Sequence, residues 1–306
     1  MTTITHNEVR QYGSIRSGSS ALIKCLIESR PAVQLIFFLR FASGAVLSGS
    51  QYDLPDLAHF LTGAAIWQCA IVFVYLFNGA TDVVEDRINR VGRPIARGEI
   101  SPAEALRWAG GFAVAAVAGA ALLQPVLLVP VLGVLALGYV YSGAPFHAKR
   151  RPLATLVVAT LGGLLTYYAG YLNSGGPHVE LSLAVLAVAM SCWMGMVGAT
   201  TKDFSDIQGD ARAGSRSLSI VFGELRARAA VSLVALALAG TFLFCAVTVA
   251  PTLVWPAVVT ALGAVAVAVL AVAGVSYGTR HRRRLPYRAF MVTQYGAHLA
   301  LPVAVI

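Results

Sequence analysis

Residues 58–101 read AHFLTGAAIWQCAIVFVYLFNGATDVVEDRINRVGRPIARGEIS. From Ala58 to Ala80 there is no Lys, Arg, Asp or Glu. A helix needs about 20 mostly apolar residues to cross a bilayer, so this run predicts a membrane span. Immediately after it the chain changes character. Asp82, Glu85 and Asp86 appear within one helical turn or so, followed by Arg87, Arg90, Arg93 and Arg97. The rest of the chain repeats the first half of this pattern many times and the second half once more. Of its 306 residues 57% are hydrophobic and 12% charged, with a mean hydropathy of +0.72. A soluble domain carries about 25% charged residues, so this chain cannot solvate a globular surface. Disordered, collagenous, disulfide-stapled and ordinary soluble classes are excluded.

Apolar runs occur at about 31–49, 58–80, 104–121, 124–142, 153–173, 180–201, 228–249, 252–275 and 288–306. They predict an all-α, polytopic membrane protein of about nine transmembrane helices. Residues 1–30 are expected to form an N-terminal tail on the cytoplasmic side. Within it, 21–30 (ALIKCLIESR) sets Leu22, Ile23, Leu26 and Ile27 apart from Lys24 and Arg30, as a short interfacial helix would. No basic, apolar and cleavable leader pattern opens the chain. Residues 31–306 are expected to form a single transmembrane domain. Cys25, Cys69, Cys192 and Cys245 have neither metal-site nor disulfide spacing and read as small buried hydrophobes.

Basic residues orient the spans. Of the 23 Lys and Arg residues, 22 precede the first span or lie between or beside the facing ends of spans two and three, four and five, six and seven, or eight and nine. The loops near Asp53, Gln124, Gly176 and Pro251 have none. The positive-inside rule therefore places the N-terminus and the basic loops in the cytoplasm and the C-terminus on the opposite side. The net charge of +9 is in this way a topology signal spread over five places, and nucleic acid is not an expected partner. The exception is Arg40, within the first span. A charge there is costly and should face the protein interior, as an anion or acceptor contact or as a structural partner of a neighbouring helix.

Seven of the 14 acidic residues lie in two segments, 78–101 and 201–219. Positions four apart on a helix differ by about 40° in azimuth. Asn78, Asp82 and Asp86 should form one ladder of oxygens, and Asp203, Asp206 and Asp210 a second. Clustered carboxylates repel unless something positive sits among them, and hard oxygen ligands suit Mg²⁺, which also takes waters and phosphate oxygens. The isolated alternative for either motif is a solvated helix end or a charge pair with a nearby arginine. A shift of 124 residues superposes Asp82 on Asp206 and Asp86 on Asp210, with Lys202 at the place of Asn78. Each motif follows the second span of a four-span block. This predicts two four-helix units plus a ninth helix, with both ladders on the same side.

With Asn78-x3-Asp82-x3-Asp86, Asn89–Arg90, Arg93–Pro94–Ile95, Tyr139-x-Tyr141–Ser142, Pro145, Lys149 and KDFSDIQGD at 202–210 in this order, the chain resembles the UbiA superfamily of intramembrane prenyltransferases. The resemblance implies helices around a large central cavity, capped on the cytoplasmic side, and Mg²⁺-dependent chemistry on an isoprenyl diphosphate with a lipophilic acceptor. It implies that Asn78, Asp82, Asp86, Asp206 and Asp210, assisted by Asp203, bind Mg²⁺ and diphosphate. Arg93, Lys149 and Lys202, together with Arg90 and Arg216, are implied diphosphate contacts. Tyr139 and Tyr141 would line the cavity near the allylic carbon. Gly79 departs from the family pattern, since many relatives carry Asp directly after the first Asn, and SRSLSIVFG at 215–223 lacks a Pro common after Leu.

The expected activity is transfer of the isoprenyl group to an aromatic or other lipophilic acceptor in the membrane. Two alternatives remain at this stage. A terpene cyclase of the same fold would use identical motifs and differ only in its product. A transporter would be expected to place its charges near the membrane midplane on broken helices, whereas these ladders fall at helix ends. The basic run 281–288 (HRRRLPYR) reads as a topology anchor or a contact for anionic lipid heads.

Overall fold

The computed structural model describes residues 18–48, 56–176, 179–212, 214 and 216–301, and these contain helices and no strand. The chain begins with α1 (Gly18–Glu28), α2 (Pro31–Val46) and α3 (Asp56–Thr81), followed by the short α4 (Val83–Ile88). Then come α5 (Pro102–Leu123), α6 (Leu128–Ser142), α7 (Pro152–Asn173) and α8 (Leu181–Cys192). A π-helical turn, Trp193–Gly198, joins α8 to α9 (Ala199–Asp203). The remaining helices are α10 (Ile207–Arg212), α11 (Leu218–Val221), α12 (Glu224–Thr248), α13 (Val254–Val272), α14 (Arg280–Arg283) and α15 (Leu285–Leu299).

Among the described residues seven helices are long and apolar enough to cross a membrane, and they coincide with expected spans two to eight. The first expected span is the shorter apolar helix Pro31–Val46. Of the ninth, α15 is described, and 302–306 lie outside the described residues. So do the loop at Asp53 and the basic residues Arg10 and Arg16. The seventh span starts earlier than its apolar run, at Glu224, because Arg228 is not a loop residue. Its guanidinium is fully buried, donates to the Ala271 carbonyl and Ser276 Oγ at 2.7 Å each, and pairs with Glu224 at 2.8 Å.

Sequence punctuation sets the helix starts. Ser101 accepts the Glu104 amide at 3.1 Å and Pro102 opens α5. Two hairpins turn through matching proline-led 3₁₀ turns. In one, Gln124 (φ −143°, ψ 66°) precedes PVL at 125–127. In the other, Ala250 (φ −142°, ψ 65°) precedes PTL at 251–253.

One apolar core joins mainly α2, α3, α5 and α6, and another joins α7, α8, α12, α13 and α15. The outer surface stays apolar, with Leu122, Val129 and Leu233 more than 70% exposed, as lipid contact requires. The crossing of α2 and α7 needs glycine on both sides. A Cβ on Gly44 would meet the Tyr167 carbonyl at 2.1 Å, and one on Gly170 the Phe41 carbonyl at 1.9 Å. Small residues let transmembrane backbones approach this closely.

Candidate functional site

The acidic segments occupy two helix ends that face each other. α3 stops at Thr81, and Asp82 sits between α3 and α4 with φ −98°, ψ 13°. The register nevertheless continues, because the Asp82 amide donates to the Asn78 carbonyl (3.0 Å) and that of Asp86 to the Asp82 carbonyl (2.8 Å). On the opposite wall, the Asp206 amide donates to the Asp203 carbonyl and the Asp210 amide to the Asp206 carbonyl, both at 3.0 Å. α4 packs on α10, and the Asn89 side-chain oxygen accepts the Gly209 amide at 2.8 Å. Both ladders therefore line one cavity of about 980 Å³. From this polar end the cavity continues between Phe37, Ile71, Val134, Leu137, Leu156 and Phe290.

Cations stand among the carboxylates. Lys149 pairs with Asp82 and Arg93 with Asp86. Asp206 receives Arg280 at 2.9 Å and has Lys202 at 3.7 Å. Asn78 donates to Asp82 at 2.9 Å and to Ser142 Oγ at 3.1 Å, and accepts from Arg30 at 3.2 Å. Burial by itself would raise the Asp206 carboxyl. Lys202 and Arg280, with hydrogen bonds from Ser205 and Arg280, outweigh that and hold it below the usual range. Asp210 goes the other way. Burial, then the nearby Asp206, Asp82 and Glu85 charges, push it up to about 6 despite Lys202.

The structure brings Asn78, Asp82, Asp86, Arg93, Tyr141, Lys149, Lys202, Asp203, Asp206 and Asp210 to the cavity wall. Four other expected site residues lie elsewhere. Tyr139 stacks on Phe77 with centroids 5.8 Å apart, donates to the Ala144 carbonyl at 2.7 Å, and is half exposed on the outer side of α6. It is two residues from Tyr141 and so on another face of the helix. Arg90, in a left-handed conformation (φ 50°), lines a smaller neighbouring cavity. Arg216 is exposed, and its amide donates to the Arg150 carbonyl at 2.9 Å. Arg40 does face the interior, one layer behind the lining. Its guanidinium donates to Gln294 Oε1 and Met194 Sδ at 2.7 Å each and lies over the Phe37 ring, 5.5 Å from its centroid. Gln294, Met194 and Phe37 are themselves the wall.

Other residues reach the cavity without having been expected there. Arg30 crosses from the start of α2, its guanidinium 5.4 Å from the Tyr75 ring centroid. Arg280 comes from α14, Arg284 from the link to α15 and Arg288 from α15, the last two within the run 281–288 that reads in sequence as an anchor. Spacing offers no signal for them, since they reach the ladders only through packing of α13 and α15.

No three His, Cys, Asp or Glu side chains among the described residues converge closely enough to cage a metal ion by themselves. The donors still fit one kind of ion. Carboxylate and amide oxygens on two walls of a wide polar mouth suit a hard cation that takes one or two carboxylates and completes its shell with water and phosphate, as Mg²⁺ does.

Comparison with known proteins agrees with this architecture. The sequence profile of the UbiA prenyltransferase family matches residues 37–293. A digeranylgeranylglyceryl phosphate synthase of Methanopyrus kandleri is 32% identical over 256 residues, covering 80% of this chain and 88% of that protein. The one from Methanoculleus marisnigri is also 32% identical, over 150 residues, but this match spans only 48% of this chain and about half (51%) of the relative. Among solved structures, a UbiA homolog from Archaeoglobus fulgidus bound to GPP and Mg²⁺ superposes with a TM-score of 0.64 at 21% identity, covering 91% of this chain and 99% of that one. The family profile spans most of the chain and both acidic segments, and the solved fold matches nearly end to end. The chain belongs to the UbiA prenyltransferase family.

Proposed function

We propose that this protein is a Mg²⁺-dependent intramembrane prenyltransferase, moving an isoprenyl group from an isoprenyl diphosphate to a lipophilic acceptor. The observation that carries the reading is the single cavity with two acidic and basic ladders at its mouth and apolar walls behind them. A diphosphate fits the mouth and a prenyl chain fits the interior. The A. fulgidus homolog named above binds GPP and Mg²⁺. Asn78, Asp82 and Asp86 on one wall, and Asp206 and Asp210 with Asp203 on the other, would hold Mg²⁺. When bound, the ion neutralises diphosphate charge and makes it a better leaving group. Lys149, Arg93, Lys202 and Arg280 are already positioned by their carboxylate partners and turn toward the phosphate oxygens as substrate enters.

The allylic C–O bond then breaks, the diphosphate leaving with the electron pair. Tyr141, with the Tyr75 ring beside it on the wall, faces the resulting cation. The acceptor attacks that carbon and loses a proton. The apolar wall keeps water from competing. Relatives named digeranylgeranylglyceryl phosphate synthases support considering glyceryl phosphate lipids beside aromatic acceptors. Residues 31–306 form the catalytic domain, its mouth on the cytoplasmic side with the N-terminus, and the C-terminus opposite.

The test is direct. Protein in nanodiscs with Mg²⁺ is given geranyl, farnesyl or geranylgeranyl diphosphate, with and without aromatic and glycerol-ether acceptors, and products are read by mass spectrometry. A prenylated acceptor, lost in Asp82→Ala and Asp206→Ala, is expected. A cyclic hydrocarbon formed without acceptor would make it a cyclase instead. Turnover untouched by both substitutions would remove the ladders from the mechanism.

A further inference from the structure

Outside the two ladders, a carboxylate is completely buried behind Arg93, which lines the cavity mouth. Glu28, the last residue of α1, has no exposed surface. Its Oε1 lies 3.0 Å from Arg93 Nη1, and its Oε2 accepts the Ile95 amide at 2.9 Å. Arg93 uses its other terminal nitrogen on Asp86. One guanidinium thus stands between two carboxylates, hydrogen-bonded to Asp86 and ion-paired with Glu28 without a hydrogen bond between Nη1 and Oε1. The space that Glu28 occupies exists because residue 79 has no side chain. A Cβ on Gly79 would stand 2.6 Å from Glu28 Oε1.

α1 is built to deliver this group. Cys25 packs with Leu76, Ile95 and Ile100, Lys24 donates to the Glu99 carbonyl at 3.2 Å, and Ile23, Leu26 and Ile27 stay exposed on the outer side. The helix therefore straps the segment after α4, with its apolar residues outward. A carboxylate is rarely buried without a charged partner, and the partner chosen here is the arginine beside the first ladder.

We infer that Glu28 is a positioning residue: as a second carboxylate on the same guanidinium it fixes where Arg93 stands beside Asp86, within reach of the diphosphate, and it occupies the space that a side chain at position 79 would otherwise fill. This rests on the cavity mouth being the diphosphate site. Without Glu28, Arg93 is anchored by Asp86 alone and its second terminal nitrogen loses its fixed direction, which weakens both the anion contact and the ladder.

The expectation is tested by binding of inorganic pyrophosphate with Mg²⁺, steady-state kinetics, thermal stability, and hydrogen exchange of the segment containing Ile95. Glu28→Gln keeps an acceptor for the Ile95 amide and removes only the charge. It should weaken pyrophosphate binding and raise KM for the prenyl diphosphate roughly 10- to 100-fold, the usual effect of losing a group that orients a ligand-binding side chain. Its Tm and Ile95 exchange should stay near wild type. Glu28→Ala should do the same and also expose Ile95 to exchange. Gly79→Asp alone places two carboxylates in one space and should lower binding. The double variant Glu28→Ala/Gly79→Asp, which returns a carboxylate to Arg93 from α3, should recover most of the affinity. Unchanged binding and KM in Glu28→Gln, or a double variant no better than Glu28→Ala, overturns the inference and leaves the proposed function standing. Wild-type protein that neither binds pyrophosphate nor turns over any diphosphate overturns the proposed function, and this inference with it.

Discussion

At Asp210 the environment pulls against ionisation. Its carboxyl is pushed up to about 6 from an ordinary 3.8, first by burial and then by the neighbouring carboxylates. A group whose pKa is higher folded than unfolded favours the fold while protonated and costs stability as it ionises. In Mg²⁺-free protein this penalty grows as pH rises from about 4 through 6 and is complete above that. Asp210→Asn should therefore raise the Tm of the metal-free protein at pH 7.5, with the gain vanishing by pH 4. An equal gain at both pH values would contradict the assignment. The two tyrosines make a second residue-scale prediction. Tyr141 lines the cavity while Tyr139 binds the Ala144 carbonyl outside it. A ring facing a desolvated cation contributes about 1–2 kcal/mol, so Tyr141→Ala should lower kcat by about tenfold or more. Tyr139→Ala should leave kcat nearly unchanged. Stopped substrate turnover in both, or in neither, would show that the cavity face of α6 has been misread. The pair was visible in the sequence as Tyr-x-Tyr, but which member faces inward depends on how α6 is rotated against α3.

Between elements, the contact that unites the site is the one between α4 and α10. The Gly209 amide donates to Asn89, and a Cβ at position 209 would meet the Asn89 amide nitrogen at 2.3 Å. Gly209→Ala must push the two motif helices apart by a fraction of a helix diameter. A misplacement of about 1 Å can cost 10²-fold in rate, so kcat/KM should fall by about that factor. The wild-type Tm should be largely kept, because the transmembrane cores lie elsewhere. Full activity in this variant would mean that the ladders act independently. The π-helical turn at Trp193–Gly198 is the other element-scale feature. It carries Met194, Gly195 and Gly198 to the cavity wall just before the second ladder. Such bulges often occur at functional sites, and nothing in the apolar run 180–201 distinguishes it from an ordinary helix.

For the whole molecule, the basic residues make the orientation testable. With the four native cysteines replaced, Glu99→Cys, in the segment after α4, should react with an impermeant maleimide only from the cytoplasmic side. Thr248→Cys, at the far end of α12, should react only from the other. The reverse pattern would invert the topology and detach the cavity mouth from the cytoplasm. Both positions are exposed, so the labelling reports sidedness rather than burial.

Much of this protein is determined locally along the chain. Span positions follow from apolar length, helix starts from Pro102, Pro152 and the Ser101 cap, and the two ladders from three- and four-residue spacings, that of the first ladder surviving even the break at Asp82. These depend on neighbours a few residues away, which is why they could be read in sequence. What the ladders face was decided by packing. Arg280 meets Asp206 from 74 residues away, and Glu28 meets Ile95 across 67. Arg40 is screened from the cavity by Met194 and Gln294, which come from distant helices. No local spacing encodes such contacts. They arise because glycine-mediated crossings such as Gly44 against Gly170 set how closely helices approach and how each is turned. A side chain's charge is written in the sequence, but its partner is chosen by that geometry.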